Sequence, residues 1–415
     1  MSPAESSKLL PAERRATWSL ALIYMVRMLG LFIVLPVFSL FADGYEHSTP
    51  FLVGLAIGIY GLLQACLQIP FGMASDRFGR KPVITAGLLL LILGSVIAAV
   101  ADSIYWVIIG RALQGAGAIA AVLMALAADL TRDSQRTKIM ALLGVSIGLS
   151  FILSLILGPL LITRYSIDAL FWFSALTALV AMLILHVAVP SPENPRSLSN
   201  RESVSAREVR VLIKDPQLLR LDVSVFVLHL LITALFVAFP LALRDAGLIE
   251  SRHWQVYLGA MLASVLITLP LLVIAERKAM RAVILLAIAM MMITQVLLGV
   301  SKDALLWLIL SIALFFCFLN TLEALLPSLV SRRAPPDAKG SVMGIYSSSQ
   351  FMGAFVGGAG GGWLYGSIGH VGLFMTLAGI CALWLAFLFG FESPAKSSRK
   401  SSSTGLSAPN PSKGS

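Results

Sequence analysis

The sequence predicts an all-α polytopic membrane protein, with twelve transmembrane helices in two pseudo-symmetric six-helix bundles. Three observations carry this expectation. Of the 415 residues, 58% are hydrophobic and 13% charged, against about 25% charged in a soluble domain. Runs of about 20 apolar residues, each long enough to cross a bilayer as a helix, recur along nearly the whole length. A polar stretch at 191–217 divides those runs six and six.

The first span, 17–42, follows Glu13-Arg14-Arg15 and is too long for a cleaved leader. It carries Tyr24 and Arg27, and lipid would penalise the arginine, so Arg27 should face a cavity. The second span, 51–75, sets Tyr60, Gln64 and Gln68 at spacings of four. Such a polar stripe either lines a cavity or joins helices by packing. Next comes Gly72-Met-Ala-Ser-Asp76-Arg77-Phe-Gly79-Arg80-Lys81, a short charged turn. Its Arg77, Arg80 and Lys81 assign it to the cytoplasmic side. Gly72 and Asp76, one helical turn apart, would let another helix approach closely. The third and fourth spans cover 81–101 and 104–130, the fourth holding Arg111 and Gln114 and ending at Asp129. The fifth, 138–162, contains Gly144, Gly148, Gly158 and Pro159. Pro159 removes a backbone donor and could bend the helix. The sixth covers 169–190.

The stretch 191–217 contains Pro192, Pro195 and several serines. Its segment Ser205 to Ile213 reads either as an amphipathic surface helix or as flexible linker. The seventh span, 219–242, places Asp222, Phe226, His229 and Thr233 on one stripe. His229 could titrate near neutral pH or simply donate between helices. Asp222 lies close to the cytoplasmic end and could be solvated. The eighth and ninth spans are 254–275 and 281–300. The tenth, 304–330, holds Glu323, the one acid read as deep in a span, with Asn320 on the same face. Glu323 is the first candidate for carrying a proton; the alternative is a glutamate that locks packing. The eleventh, 340–366, contains Gly353, Gly357, Gly358, Gly360, Gly361 and Gly362, which points to close helix approach. The twelfth covers 371–391, and a Ser/Pro/Lys-rich tail at 393–415 is too polar and short to fold. The organisation expected is therefore 1–190 as the first bundle, 191–217 as cytoplasmic linker, 218–392 as the second bundle and 393–415 as disordered tail.

The net charge of +10 does not point to nucleic acid. With alternate loops assigned to opposite sides, only Arg164, Arg244, Arg252 and Lys302 fall on one side, and Arg27 and Arg111 fall within spans. Every other Lys and Arg lies on the opposite side, so both termini should be cytoplasmic. Cys66, Cys317 and Cys381 all fall inside spans as packing or lipid-facing residues, with no pairing and no metal-ligand spacing. No metal or cofactor is expected.

The halves repeat at an offset of 200 residues. Pro70 matches Pro270, Asp76-Arg77 matches Glu276-Arg277, and Lys81 matches Arg281. Gly144 matches Gly344, and Gly158 matches Gly358. The second copy lacks glycine at 272 and 279. Repeated halves are the usual build of secondary transporters, with substrate held between them.

The chain to about residue 392 resembles the major facilitator superfamily, and within it the proton-coupled drug-efflux antiporters. The loop Gly72 to Lys81 carries this, with Arg14-Arg15-Ala-Thr-Trp18, Arg27-Met-Leu-Gly30 and Ile69-Pro-Phe-Gly72. So do Gly110-Arg111-Ala-Leu-Gln114-Gly115, Asp129-Leu-Thr-Arg132 and Glu323-Ala-Leu-Leu-Pro-Ser328. The resemblance implies a multi-pass protein of a bacterial inner membrane, acting as a monomer on a small molecule and protons. Gly72, Asp76, Arg77, Gly79, Arg80, Lys81 and Asp129 would then form a conformational latch. Asp76 would face the start of the eleventh helix near Gly340–Gly344, and Arg80 would pair with Asp129. Arg111 and Gln114 match a motif associated with proton coupling, where the arginine would act on a nearby acid. Candidate proton-coupling groups are Glu323, His229, Arg111 and Asp222. Candidate cavity groups are Tyr24, Arg27, Tyr60, Gln64, Gln68, Gln114 and Asn320. The fifth helix departs from the antiporter glycine pattern, with Ser154 and Leu161-Ile162 where glycines are expected.

The function expected is proton-coupled efflux of small apolar or cationic compounds by alternating access. A transporter of the same fold moving a sugar or amino acid is the alternative. A membrane enzyme would need a clustered acid, histidine or metal constellation, and a phosphate-cradling loop would need a strand before the glycines and a lysine after them. The sequence offers neither.

Overall fold

The computed structural model describes residues 10–190, 215–301, 304–335 and 338–391. The expected surface helix at 205–213, Pro192, Pro195, Lys302 and the tail 393–415 lie outside the described residues. Helices run in chain order as α1 (Pro11–Phe32), α2 (Phe38–Phe41), α3 (Pro50–Phe78), α4 (Arg80–Ala99), α5 (Ile104–Ala116), α6 (Ala120–Asp129), α7 (Asp133–Arg164) and α8 (Asp168–Val187). After residue 215 come α9 (Pro216–Asp245), α10 (His253–Ile274), α11 (Met280–Val300), α12 (Leu305–Arg333) and α13 (Lys339–Leu388). The protein is an all-α polytopic membrane protein.

Ten helical stretches among the described residues are long and apolar enough to span a bilayer. The chain differs from the twelve expected spans at two places. The first apolar run does not stay helical: α1 ends at Phe32, a turn containing Pro36 follows, and α2 resumes at Phe38. The last two runs join into α13, whose 50 residues would extend about 75 Å at 1.5 Å per residue. That is more than twice the hydrocarbon thickness of about 30 Å. The chain bends back at Gly369, whose φ of 70° and ψ of −172° are non-helical, so α13 accounts for two spans. Proline at the first turn and a capping side chain start several helices. Asp215 accepts from the Gln217 and Leu218 amides, and Thr49 accepts from the Leu52 amide.

The charged loop is the reversal between α3 and α4. It turns on Gly79, at φ 92° and ψ 154°, a region almost reserved for glycine. At the equivalent position of the second copy Ala279 has φ −128°, and 275–279 forms a π-helical turn instead. Loss of the glycine thus goes with a different reversal. Gly79→Ala is expected to cost about 1–3 kcal/mol, while Gly72→Ala, with open space around its would-be Cβ, should be close to neutral. Thermal unfolding of the two variants checks this, and equal midpoints would contradict it.

The 200-residue offset recurs in hydrogen bonds. Lys81 Nζ donates to the Val189 carbonyl at 2.5 Å, and Arg281 Nη2 donates to the Phe389 carbonyl.

The two halves meet asymmetrically. One large core joins residues of 33–57, 98–107 and 155–171 to most of α9–α13. A separate core holds the rest of the first half, joined from the second half by Phe351 and the partly buried Met352. The halves are therefore packed together at the end opposite the 72–81 loop and spread apart at the loop end. The seal lies where α13 wedges between α3 and α9. A Cβ at Gly358 would lie 2.7 Å from both the Gly54 carbonyl oxygen and the Gly58 amide nitrogen, so only glycine permits that crossing. The halves also meet where Phe151 packs on Phe236 and Phe316 with ring centroids 6.3 Å and 6.1 Å apart, and where Ser39 Oγ donates to the Phe236 carbonyl at 3.2 Å.

Candidate functional site

The spread end leaves a recess of about 290 Å³ between the halves, lined by Ala65 and Cys66 of α3, Phe226 of α9, and Ser348, Ser349 and Met352 of α13. Cys66 is thus neither a packing nor a purely lipid-facing residue, while Cys317 and Cys381 are buried. One turn along α9 from Phe226 is His229, and the neighbour of Ser349 is Gln350.

His229 sits at the centre of a polar group built from three helices. Its Nδ1 lies 3.1 Å from the Val225 carbonyl oxygen, an acceptor only, so Nδ1 carries the proton. In the neutral ring Nε2 is then the acceptor, and Gln350 Nε2 donates to it at 2.7 Å. Protonation would turn Nε2 into a donor, aimed at Glu323 Oε1 3.3 Å away. The Glu323 side chain is 37% exposed and His229 16%, so the carboxylate is within reach of solvent while the imidazole lies deeper. Tyr346, buried on α13, stands within electrostatic reach of both Glu323 and Asp222. Asp222 is half-buried and makes no hydrogen bond or ion pair with them among the described residues. The structure therefore brings Glu323 and His229 together and adds Gln350. Asn320 does not join them: its Nδ2 donates to Ser264 Oγ at 2.7 Å, toward α10.

The other polar candidates are buried in helix packing and do not line the recess. Arg27 Nη2 donates to Gln64 Oε1 at 2.5 Å, and Gln64 Nε2 donates to Gln68 Oε1 at 3.1 Å. Arg111 Nη1 donates to Gln114 Oε1 at 2.8 Å, Gln114 Nε2 donates to Ser95 Oγ at 2.8 Å, and the Arg111 guanidinium lies 5.1 Å from the Tyr60 ring centre. Tyr24 is 2% exposed. No carboxylate contacts Arg27 or Arg111 among the described residues, which corrects the expectation that Arg111 acts on a nearby acid, and Arg27, 1% exposed, does not line the recess. Gln64 accepts from one Arg27 nitrogen, and Gln114, the Ala56 carbonyl and the Tyr60 ring engage part of Arg111, while the remaining buried guanidinium nitrogens have no hydrogen-bond partner.

At the loop, Arg80 Nε pairs with Asp129 Oδ2 at 3.0 Å, Arg80 Nη1 pairs with Asp76 at 2.5 Å, and Arg80 also donates to Ser75 Oγ. Asp76 does not face the start of α13. Its carboxylate is 64% exposed, and Gly340 and Gly344 have open space around them. The reason is the separation of the two cores at this end. Arg77 stacks near Phe78. Along α7, the helix continues through Pro159 without a break, and Gly144 and Gly148 face open space. Gly158 instead packs against the 33–37 turn, where a Cβ would lie 2.9 Å from the Ile33 carbonyl oxygen.

One pair escaped the sequence reading. Glu13, at the start of α1 and outside the span, is buried and accepts from Arg132 Nε at 2.8 Å and Nη2 at 2.9 Å, from the Arg132 amide at 3.1 Å, and from the Leu10 amide at 2.8 Å. The Arg132 side chain holds its carboxyl at about 2, well below the usual 4.5, and the carboxylate in turn raises Arg132. The one available signal was Asp129-Leu-Thr-Arg132, which names Arg132 but not a partner 119 residues away.

Comparison with known proteins gives a consistent result. The family model for the Major Facilitator Superfamily matches residues 20–319 and 223–412. The inner membrane transport protein YajR of Escherichia coli (strain K12) is 42% identical over 389 residues, covering 93% of this chain and 85% of that protein. The multidrug resistance protein MdtH of Proteus mirabilis (strain HI4320) is 26% identical over 350 residues, covering 82% and 84%. A crystal structure of a D-xylose–proton symporter superposes with a TM-score of 0.74 at 15% identity, over 92% of this chain and 98% of that one, which is a likeness of fold.

Proposed function

The chain belongs to the major facilitator superfamily of membrane transporters, and from that premise we propose that it exports small apolar or cationic compounds in exchange for protons, by alternating access. The observation that carries this reading is the Glu323–His229–Gln350 group on the helices that border the recess. The recess is apolar apart from two serine hydroxyls, which suits an apolar body, and the adjacent acids suit a positive charge. Protonation of Glu323 removes a negative charge and the partner that His229 would hold when protonated. One elementary charge moved across 100 mV is worth about 2.3 kcal/mol, enough to bias two states of similar energy. The relatives named for inner-membrane and multidrug transport support this direction.

In this reading residues 1–190 and 218–392 are the two moving halves, joined by 191–217, and the protein works as a monomer in a bacterial inner membrane. The basic loop end and both termini are cytoplasmic, so the recess opens inward. On closure Asp76 would reach the start of α13, where the helix dipole favours a carboxylate, while Arg80 stays braced on Asp129.

The test is uphill transport of a fluorescent lipophilic cation in proteoliposomes under an imposed pH gradient. Glu323→Gln is expected to lower gradient-driven flux by at least about tenfold while leaving cation exchange at zero gradient largely intact. Normal gradient-driven flux in Glu323→Gln would eliminate Glu323 as the carrier.

A further inference from the structure

Among the described residues of the first half, two buried cations have no counter-charge. Arg27 on α1 is 1% exposed and Arg111 on α5 is 0% exposed. A guanidinium does not deprotonate in a protein, and burying one is strongly unfavourable unless its charge is compensated. Both use only neutral acceptors: Gln64 for Arg27, and Gln114 and the Ala56 carbonyl for Arg111. Arg27 Nε and Nη1, Arg111 Nη2 and Tyr60 Oη are buried and have no hydrogen-bond partner.

These groups belong to one place. Ala56, Tyr60 and Gln64 lie at spacings of four on α3, so they share a face, and the contacts of Arg111 and Arg27 fall on successive turns of it. Tyr24, on the turn before Arg27, is within electrostatic reach of both Arg27 and Tyr60. The unsatisfied atoms are two fixed positive charges and a hydroxyl, all able to donate. That chemistry suits an anion and repels a cation. Side chains with 0–2% exposure leave no passage for a phosphate or for the carboxylate of a bulky cargo.

We propose that a small monovalent inorganic anion of chloride size binds between α1, α3 and α5, held by Arg27, Arg111 and the Tyr60 hydroxyl. The anion neutralises the buried guanidiniums and so stabilises the first half. This inference does not depend on proton coupling, and its test does not measure transport.

Thermal unfolding of the purified full chain is followed in sodium chloride and in sodium gluconate at equal ionic strength. Chloride is expected to raise the midpoint by a few degrees in a saturable way, with bromide replacing it and gluconate without effect. Gln64→Glu sets a carboxylate where Arg27 already donates; it should abolish the chloride response and melt in gluconate at or above the wild-type midpoint. Tyr60→Phe keeps the ring, loses the donor, and should raise the half-saturating chloride concentration about tenfold. Identical wild-type melts in chloride and gluconate, a response that never saturates, or a full chloride response in Gln64→Glu would each overturn the proposal.

Discussion

Gly358→Leu is expected to slow alkylation of Cys66 by about tenfold or more, because it forbids the packing seen at the sealed end. The Cβ alone would collide with the backbone of Gly54 and Gly58, and neither can rotate away as a side chain would. Overpacking of this kind costs about 1–3 kcal/mol, and that penalty falls on the state in which α3 and α13 cross here. A state with the seal opened avoids it, so the population shifts by roughly 5- to 150-fold. Cys66 reports the shift because it lines the recess while Cys317 and Cys381 are buried. Closing the loop end should hide it. Unchanged labelling in a variant that still unfolds cooperatively would show that the crossing does not govern access to the recess. Gly360→Leu, at a glycine with open space, is the control and should label like wild type.

Arg132→Ala should produce the largest loss of stability of any single charge removal, lowering the unfolding midpoint by several degrees at pH 7. It leaves the Glu13 carboxylate buried with only the Leu10 and Arg132 amides to hold it, and an unpaired buried charge is worse than none. Arg132→Lys should rescue only part of the loss, since an ammonium cannot make the two parallel bonds of the guanidinium fork. Glu13→Gln should cost less, because it removes the charge along with the pairing. The pH dependence has a definite sign. Glu13 titrates near 2 in the folded chain, below its ordinary 4.5. Its stabilisation is complete above about pH 4.5 and is lost as pH falls through 2. The gap in midpoint between wild type and Glu13→Gln should therefore be constant from pH 7 to pH 5 and narrow below that. A gap that widened on acidification would refute the pairing.

The spans were legible because hydrophobic length and charge placement are local properties. Proline and glycine marked the points where that reading needed correction: Pro36 sits in the turn that ends α1, and Gly369 is where α13 doubles back. The 200-residue offset was legible as well, and the matched bonds of Lys81 and Arg281 to carbonyls at 189 and 389 give it a structural counterpart. Which polar residues would meet was less accessible. Glu323 and His229 could be named as costly residues in lipid, yet Gln350, which donates to His229, carries no mark beyond its place among small residues of the eleventh span. Arg27, Arg111, Gln64 and Gln68 were named for the same reason as Glu323, but they are buried in packing. Periodicity cannot tell a stripe facing a recess from one facing another helix. Asp76 and the start of α13 illustrate a different limit: they stand apart in this structure, and the contact proposed for them would belong to another conformational state.

If cargo and protons are exchanged through Glu323, removing its carboxylate uncouples the two. The most direct measurement is proton flux in proteoliposomes carrying an internal pH dye, with a preformed gradient and addition of a lipophilic cation. Wild type should dissipate the gradient on addition of the cation, and Glu323→Gln should hold it while still exchanging labelled for unlabelled cation. Gradient collapse of equal size in Glu323→Gln, or exchange without any proton movement in wild type, would rule out proton exchange through Glu323.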